Sequence, residues 1–556
     1  YDYAGANMFV NRYLLKYTGK IFELPQEVFM CIAMLLAINE KNRVEIAIKF
    51  YNALSLKKIS LATPILANLR LPKGNLSSCF ITAIDDNIES IFYNIDTIAK
   101  ISKNGGGVGV NISRIRAKDS MVNGYFNASG GVVPWIRIIN DTAVAVNQQG
   151  RRAGAVTVAI DSWHLDIERF LELQTENGDQ RTKAYDIYPQ VVVSDLFMRR
   201  VENNEPWTLV DPYEIRQKYN IELCEFYGKE FENFYLEIEK DTSLTLRKVI
   251  NARELFKEIM KVQIETGMPY IFFKDNANRA NHNDHIGMIG NGNLCMESFS
   301  NFAPSKNFEE YTEEEKGIRT VDLGEIHTCN LVSMNLAEMA RWEIPEIVDL
   351  SVRILDNTID LSKTPIKESD RHNNKYRTIG VGTMGLADFM ANNYMIYEDS
   401  LDEIDNLYEE IALYTIKSSA LLAKERGCYP AFKGSKWNRG IFFGKDKNWY
   451  MTNSKFNEKW NEVFNLVETY GIRNGELSAV APNTSTSLLM GATASVNPTF
   501  LRFFIEKNQK GAVPRVVKYL KDRAWFYPEF KNVDPEIYVK MMSRIGKWIT
   551  QGVSME

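Results

Sequence analysis

Short β-rich runs that alternate with helical stretches constrain the fold of this chain more than any other feature of its sequence. The clearest runs are residues 79–84, 107–112, 155–160, 190–193 and 270–273. Strands that alternate with helices predict an α/β fold. In the first 60 residues, apolar side chains such as Val28, Ile32 and Leu35 recur at helical spacing, which predicts a helical entry region.

Composition and charge exclude several classes of protein. With 45% hydrophobic residues in 556, the chain can bury a large core, which excludes wholesale disorder. Its 66 basic and 71 acidic residues are too balanced for direct nucleic-acid binding through a basic surface. The longest apolar run, residues 28–38, is far shorter than the ~20 residues of a membrane span. Six cysteines without a secretory leader predict a reducing, cytoplasmic location.

Several local elements can also be predicted. Asp161 and Ser162 are expected to cap a helix over residues 163–173, and Asp534 with Pro535 to open one that ends near residue 549. The charged segments 307–316 and 436–459 are expected to be loops or solvated helices. Because the sequence contains no repeat and no Gly/Ser linker, it indicates one large α/β domain preceded by a helical region.

Asn293, Cys295 and Glu297 stand at alternate positions. In an extended backbone, alternate side chains point to one side, so an amide, a thiol and a carboxylate would converge. A buried cysteine beside two exposed polar residues explains the spacing equally well. For Cys79 and Cys329 the residues alone favour buried structural thiols, and the sequence gives neither their distance nor their pairing. No metal site is predicted, because no two cysteines have zinc-ligand spacing.

Hydroxyl-rich and glycine-rich segments indicate where phosphates could bind. In residues 481–487, a run of hydroxyl side chains follows Pro482 and Asn483, and their backbone amides could open an anion-binding helix. Thr63 and Ser78 could add hydroxyls, although an ordinary cap explains each feature equally well. The run 104–111 permits close backbone approach but is not a dinucleotide fingerprint. The loop with Arg151 and Arg152 suits a nucleotide, and an exposed surface loop is its default interpretation.

Taken together and in this order, the motifs resemble the catalytic subunit of ribonucleotide reductase, most closely that of class I. The matching segments are Ala62-Thr-Pro-Ile65, Ser77-Ser-Cys79, Gly107-Val-Gly-Val-Asn111, Arg114-Ile-Arg116, Asn293-Leu-Cys-Met-Glu297, Cys329-Asn-Leu331, Thr378-Ile-Gly-Val-Gly382 and residues 482–487. The resemblance implies a helical N-terminal region over residues 1–72 and a catalytic domain over residues 73–556. It also implies a ten-stranded α/β barrel with a central finger loop that carries the Asn-x-Cys-x-Glu segment.

The same resemblance implies the roles of five catalytic residues in reducing ribonucleotides to 2′-deoxyribonucleotides. Cys295 would form the thiyl radical that removes the 3′ hydrogen of the ribose. Glu297 would act as base toward the 3′ hydroxyl, and Asn293 would orient the substrate and the carboxylate. Cys79 and Cys329 would supply two reducing equivalents by closing to a redox-active disulfide.

Binding residues follow from the resemblance as well. The diphosphate of the substrate would lie on one cluster of residues: Thr63, Ser78, Pro482, Asn483, Thr484, Ser485 and Thr486. A second nucleotide site at a dimer interface would select the substrate, with deoxynucleotides or ATP as effectors. Asp86, Arg116, Arg151 and Arg152 match that effector site.

The partners implied are a second copy of the chain and a small radical-generating subunit that contains a metal. The chain itself would bind no cofactor, and thioredoxin or glutaredoxin would re-reduce the disulfide. The sequence shows neither the late tyrosine pair nor the two-cysteine tail of class I, so we expect the last barrel strand to be missing from this chain. It also lacks an N-terminal ATP-binding cone, so inhibition by dATP is not predicted.

Three alternatives remain open at this point. The adenosylcobalamin-dependent class shares the cysteine trio, but its finger is expected to read Asn-Pro-Cys, whereas this one reads Asn-Leu-Cys at residues 293–295. The glycyl-radical class would dispense with the Cys79 and Cys329 pair. A hypothesis of another kind is an inactive or split nucleotide-binding half that needs a second polypeptide.

Overall fold

The computed structural model of the chain describes residues 1–72, 74–146, 154–313, 315–508 and 511–555 and shows a mixed α/β protein. The α-helices are α1 (Tyr3–Met8), α2 (Pro25–Leu36), α3 (Arg43–Ser55), α4 (Thr63–Asn68), α5 (Ile88–Lys103), α6 (Val132–Ala145), α7 (Ile167–Leu171), α8 (Asp195–Asn203), α9 (Pro212–Tyr219), α10 (Gly228–Lys240), α11 (Ala252–Thr266), α12 (Lys274–Ala280), α13 (Ile344–Leu361), α14 (Lys367–Tyr376), α15 (Leu386–Asn392), α16 (Leu401–Arg426), α17 (Lys447–Asn453), α18 (Asn457–Tyr470), α19 (Thr484–Met490), α20 (Leu520–Arg523) and α21 (Pro535–Gly546). Within the described ranges, no helix combines the length and apolar character that crossing a membrane requires.

The strands confirm the alternation seen in the sequence. They are β1 (Lys16–Tyr17), β2 (Lys20–Ile21), β3 (Ile59–Leu61), β4 (Cys79–Ala83), β5 (Gly107–Asn111), β6 (Val156–Asp161), β7 (Tyr188–Val193), β8 (Pro206–Val210), β9 (Arg247–Asn251), β10 (Tyr270–Phe273), β11 (Lys306–Glu313), β12 (Lys316–Asp322), β13 (His327–Thr328), β14 (Leu331–Asn335), β15 (Gly380–Met384), β16 (Phe503–Asn508) and β17 (Gly511–Val516). All five predicted strands are present, with ends shifted by at most two residues.

The chain forms two compact units. Unit 1 comprises Tyr1–Ser78, Cys329–Thr364 and Asn373–Glu556, and unit 2 comprises Cys79–Thr328 and Pro365–His372. In unit 1, β14 pairs in parallel with β15 and antiparallel with β3. The predicted helical entry region is confirmed, because α2 and α3 bury their apolar faces in the main hydrophobic core of this unit.

Unit 2 is built on a six-stranded sheet in the order β10-β7-β6-β5-β4-β13. Strands β4, β5, β6, β7 and β10 pair in parallel, and only β13 runs antiparallel to its neighbour β4. One face of the sheet carries residues such as Val108, Val158 and Val191, which pack with the helices in a large core. The other face carries Ile81, Ala159 and other residues, which form a smaller core with the segment that follows α12.

One predicted helix is shorter than expected, and one predicted segment is wrong. The helix expected over residues 163–173 is present as α7, but it begins only at Ile167, because Asp161 ends β6 and Asp166 is the residue that precedes the helix. Within the charged segment 307–316, residues 307–313 and 316 are not in a loop or a helix but in the antiparallel β11–β12 ribbon. Its cross-strand pairs explain this, since oppositely charged residues such as Glu310 and Arg319 face each other and form an ion pair. The helix after Asp534 is confirmed as α21, and the Asp534 carboxylate accepts from the Glu536 amide.

Candidate active site

The segment after α12 crosses one face of the unit 2 sheet without forming a helix or a strand. We call residues 289–300 the finger segment. Beneath it, β5 presents Gly107 and Gly109, and side chains there would collide with the segment: a Cβ on Gly109 would lie 2.8 Å from the Gly292 carbonyl oxygen. A Cβ on Gly107 would lie 2.6 Å from Leu294. The close approach expected of this glycine run is therefore real, and its partner is the finger segment.

Gln190 of β7 fixes the ascending limb of the finger segment, by which we mean the residues of the segment that precede its tip. Its Oε1 accepts a hydrogen bond from the Gly292 amide at 3.1 Å, and its Nε2 lies 2.7 Å from the Met296 sulfur. Thr157 of β6 donates to the Leu294 carbonyl at 3.4 Å. Strand β7 was predicted, but the role of Gln190 was not. A buried glutamine inside an otherwise apolar strand was the available signal, because such an amide needs a partner.

The tip of the segment is a tight turn, so the extended conformation expected for residues 293–297 is wrong. The Met296 amide donates to the Asn293 carbonyl at 3.3 Å, and Met296 itself has a φ of 66°. The Ser298 amide donates to Asn293 Oδ1 at 3.1 Å, which closes the loop across five residues of chain. Asparagine side chains commonly cap such turns. The turn still brings the Asn293 amide near the Glu297 carboxyl group.

Glu297 is only 2% exposed, and Oε2 has no hydrogen-bond partner among the residues that the structure describes. Burial disfavours the charged carboxylate and raises the pKa of Glu297 to about 7, although the nearby Asn293 side chain opposes the shift. A carboxyl group with this pKa exchanges a proton readily near neutral pH. It is therefore suited to act as a general base.

Cys295 lies beside Glu297 on the turn and is partly exposed, whereas the other two thiols predicted to react are buried. The pKa of Tyr270 in β10 shows which groups lie near this thiol. Burial, followed by the proximity of Cys295, Tyr188 and Glu297, raises the pKa of Tyr270 to about 12. The thiol and the carboxylate thus share one neighbourhood, together with a phenol that the sequence analysis did not select.

Cys79 and Cys329 each lie at the end of a pairing segment. In unit 2, Cys79 is the first residue of β4, and its successor Phe80 pairs with Thr328 of β13. In unit 1, the Ser78 amide donates to the carbonyl oxygen of Cys329 at 3.2 Å. Both cysteines are buried thiols.

The hydroxyl-rich segment in unit 1 opens α19, as predicted. Asn483 precedes the helix with a φ of 58° and accepts a hydrogen bond from Ser333 at 3.0 Å, while Thr484 is the first helical residue. Pro482 and Ser485 are partly buried, Thr484 is exposed, and Thr486 is buried.

Two neighbouring residues of the entry region connect α19 with α4. Arg12 donates to the hydroxyl of Ser485 at 2.7 Å, and Tyr13 shares a hydrogen bond of 3.1 Å with Thr63. The structure therefore brings Thr63 and Ser485 to one place. Arg12 was not predicted from the sequence, since no local pattern relates it to a segment more than 400 residues away.

Asp86 and Arg116 lie together in unit 2. Asp86 accepts from the Arg116 backbone amide at 3.0 Å and from its Nε at 3.0 Å, and it also binds Arg216 at 2.9 Å. The Arg116 guanidinium stacks 4.2 Å above the ring of Tyr213. Arg151 and Arg152, the other predicted members of this site, lie outside the described residues.

Comparison with known proteins covers the whole chain. Residues 1–74 match the family described as "Ribonucleotide reductase, all-alpha domain", and residues 77–556 match "Ribonucleotide reductase, barrel domain". The chain is 53% identical to "Ribonucleoside-diphosphate reductase subunit alpha" of Synechocystis sp., over all of the chain and 70% of that relative. It is 39% identical to the protein of the same name from Helicobacter pylori strain J99, over all of the chain and 76% of the relative.

Proposed function

We propose that this chain, which belongs to the ribonucleotide reductase large-subunit family, reduces ribonucleoside diphosphates to 2′-deoxyribonucleoside diphosphates by thiyl-radical chemistry. The turn at the finger tip supports this proposal most directly. It presents the partly exposed Cys295 next to a buried carboxyl group whose pKa is about 7. Within the family fold, we propose an α/β barrel of the ten-stranded type with this finger at its centre, and a helical region that ends at residue 72.

The chemistry assigns one step to each group. Cys295, as a thiyl radical, takes the 3′ hydrogen atom of the ribose, and Glu297 takes the proton of the 3′ hydroxyl. The 2′ hydroxyl then leaves as water with a proton from a thiol. Cys79 and Cys329 supply two electrons and two protons in all, one proton to the departing water and one to C2′, and become a disulfide. Glu297 then returns its proton to the 3′ oxygen, and Cys295 returns the hydrogen atom to C3′. Asn293, held by the turn, orients the substrate and Glu297.

Cys79 and Cys329 are proposed as the reductant pair because both are buried thiols. Cys79 begins β4 in unit 2, and Cys329 is the residue of unit 1 that follows β13. A disulfide between them requires Cα atoms within about 7 Å.

Two nucleotide-binding sites are proposed, one for the substrate and one for the effector. The substrate diphosphate is proposed to bind Thr63, Ser78 and the residues that open α19, where backbone amides and the cation of Arg12 replace a globally basic surface. The effector nucleotide, a deoxynucleotide or ATP, is proposed to bind near Asp86 and Arg116. Arg151 and Arg152 complete that site in the proposal.

The assembly proposed is a cytoplasmic homodimer that works with a small, metal-containing subunit as its radical source. Thioredoxin or glutaredoxin would re-reduce the cysteine pair. Half-exposed apolar side chains on α5 support the dimer: Ile88 and Phe92 are each 50% exposed, and Phe92 packs edge-to-face on Trp135 of α6 at 6.2 Å. Ile88 and Phe92 stand four residues apart, so their side chains are neighbours on one face of α5, and exposed apolar neighbours of this kind mark protein interfaces.

A cysteine replacement tests the proposal. In the full chain combined with its radical-generating subunit, Cys295→Ser should abolish deoxynucleotide formation and leave nucleotide binding intact. Cys428→Ser is the matched control, because the Cys428 thiol is also accessible to solvent but belongs to unit 1. Turnover by the Cys295→Ser variant would refute the radical role. Nucleotide binding without turnover by the unmodified protein would instead indicate an inactive nucleotide-binding half.

A further inference from the structure

Behind the finger tip lies a chain of buried side chains in unit 2 that the proposed chemistry does not use. His327 of β13 stands at its centre: Nε2 lies 3.0 Å from the Ser298 hydroxyl, and Nδ1 lies 2.9 Å from the Ser300 hydroxyl. The Ser300 hydroxyl is also 2.8 Å from His372 Nε2. All four side chains are at most 1% exposed. A buried network with this many matched partners fixes the geometry of the groups that it connects.

The protonation state of His327 limits which groups of the network can donate hydrogen bonds and which can accept them. Burial lowers the pKa of His327 to about 3, so the ring is neutral, and one nitrogen donates while the other accepts. The two serine hydroxyls must therefore play opposite roles toward the ring. Because each hydroxyl has one proton, rotating one of them would break a bond at the next member, which makes the arrangement cooperative.

The network reaches the reacting groups through Ser298. Its hydroxyl binds His327, while its backbone amide binds Asn293 Oδ1 and closes the turn. Ser298 is also joined by a peptide bond to Glu297. His327 in turn is fixed by strand pairing, because it faces Ile81 of β4. The descending limb of the finger segment, that is, the residues that follow its tip, is thus attached to the sheet through the His327 imidazole. Gln190 attaches the ascending limb in the same way.

From these contacts we infer that His327 is a positioning residue for the finger tip, and that it acts through Ser298 to hold Asn293 and Glu297 in place for the base step. This inference rests on the proposed function. Neither histidine reacts with substrate in this role. The contribution of the network is orientation, and small displacements of a reacting group cost up to about 10²-fold in rate.

Three replacements of His327 separate its two bonds. The amide nitrogen of a glutamine side chain reaches about as far as Nε2, so His327→Gln keeps the Ser298 bond. An asparagine side chain reaches only as far as Nδ1, so His327→Asn keeps the Ser300 bond, and His327→Leu removes both. Tyr235→Phe is the matched control, because the fully buried Tyr235 hydroxyl also makes two hydrogen bonds in unit 2, both to the Thr208 backbone.

The full chain with its radical-generating subunit is assayed for kcat and KM, and each variant for the rate at which iodoacetamide alkylates Cys295. We expect His327→Leu to lower kcat at least about tenfold with little change in KM, and to accelerate alkylation. His327→Gln should recover most of the loss and His327→Asn much less. Unchanged kcat and alkylation in His327→Leu, or the same changes in Tyr235→Phe, would overturn the inference. If the unmodified protein shows no turnover, the proposed function fails, and alkylation alone still decides whether His327 holds the tip.

Discussion

Replacement of Glu297 by glutamine should make unit 2 more stable at alkaline pH while it removes the catalytic base. The physical reason is that the wild-type protein must ionise a carboxyl group that is 2% exposed. Burial raises the pKa of Glu297 from its usual 4.5 to about 7, so the folded protein holds this proton more tightly than the unfolded chain does. Glutamine has nearly the same shape and never ionises.

The sign and size of the effect follow from proton linkage. Between pH 4.5 and pH 7 the folded state binds more protons at Glu297 than the unfolded state, so wild-type stability falls as the pH rises through this window. Above pH 7 the loss is complete and amounts to about 3 kcal/mol, at about 1.4 kcal/mol for each unit of pKa difference. Below pH 4.5 both states are protonated and the contribution vanishes.

Thermal unfolding of wild type and Glu297→Gln, followed from pH 4.5 to pH 8.5, measures this difference. For a folding unit of about 250 residues, 3 kcal/mol corresponds to a change in Tm of about 6 °C. We expect the variant to gain this much at pH 8.5 and little at pH 4.5, with most of the change between pH 5 and pH 7. A difference in Tm that is the same at all pH values would refute the explanation. So would a variant that is less stable at pH 8.5.

Three further outcomes are expected. One turnover without external reductant should join Cys79 to Cys329, and peptide mapping that finds both thiols free would remove them as the reductant. Asp86→Asn should weaken effector binding about tenfold in a direct binding assay, because its carboxylate holds Arg116 in place; unchanged affinity would place the effector elsewhere. Asp356→Ala in unit 1 should cost about 3–5 kcal/mol in denaturant unfolding, because Arg377, Arg426 and Arg473 each lose an ion pair with a fully buried carboxylate; a loss below about 1 kcal/mol would contradict this.

Local patterns in the sequence predicted most of the elements that support the site. The strands were recognisable because parallel strands buried on both faces are short, apolar and bounded by turn residues. The glycines of β5 indicated a close approach, although only the structure identifies the finger segment as what approaches. The start of α19 followed from a run of hydroxyl residues after Pro482 and Asn483.

Features that depend on distant partners were missed or misjudged. The tip was expected to be extended because alternation was the only local information, whereas the Asn293 side chain bends it into a turn. Arg12 and His327 have no neighbours in sequence that reveal their partners, since each contacts a residue that only the fold brings near. The β11–β12 ribbon was misassigned because its exposed charges resemble those of a solvated loop, and its stability comes from pairing across strands.

The finger segment concentrates groups that a stable fold otherwise avoids. It holds a buried carboxyl group with a raised pKa, a methionine with positive φ and a partly exposed thiol, all within three residues. A segment without helix or strand keeps such groups in one arrangement only if side chains from regular elements fix both of its limbs. Gln190 fixes one limb of the segment and His327 fixes the other, and both residues belong to strands of the unit 2 sheet. The glycines of β5 leave space for the segment on this sheet. The sheet therefore makes the site rigid, and the finger segment carries the reacting groups.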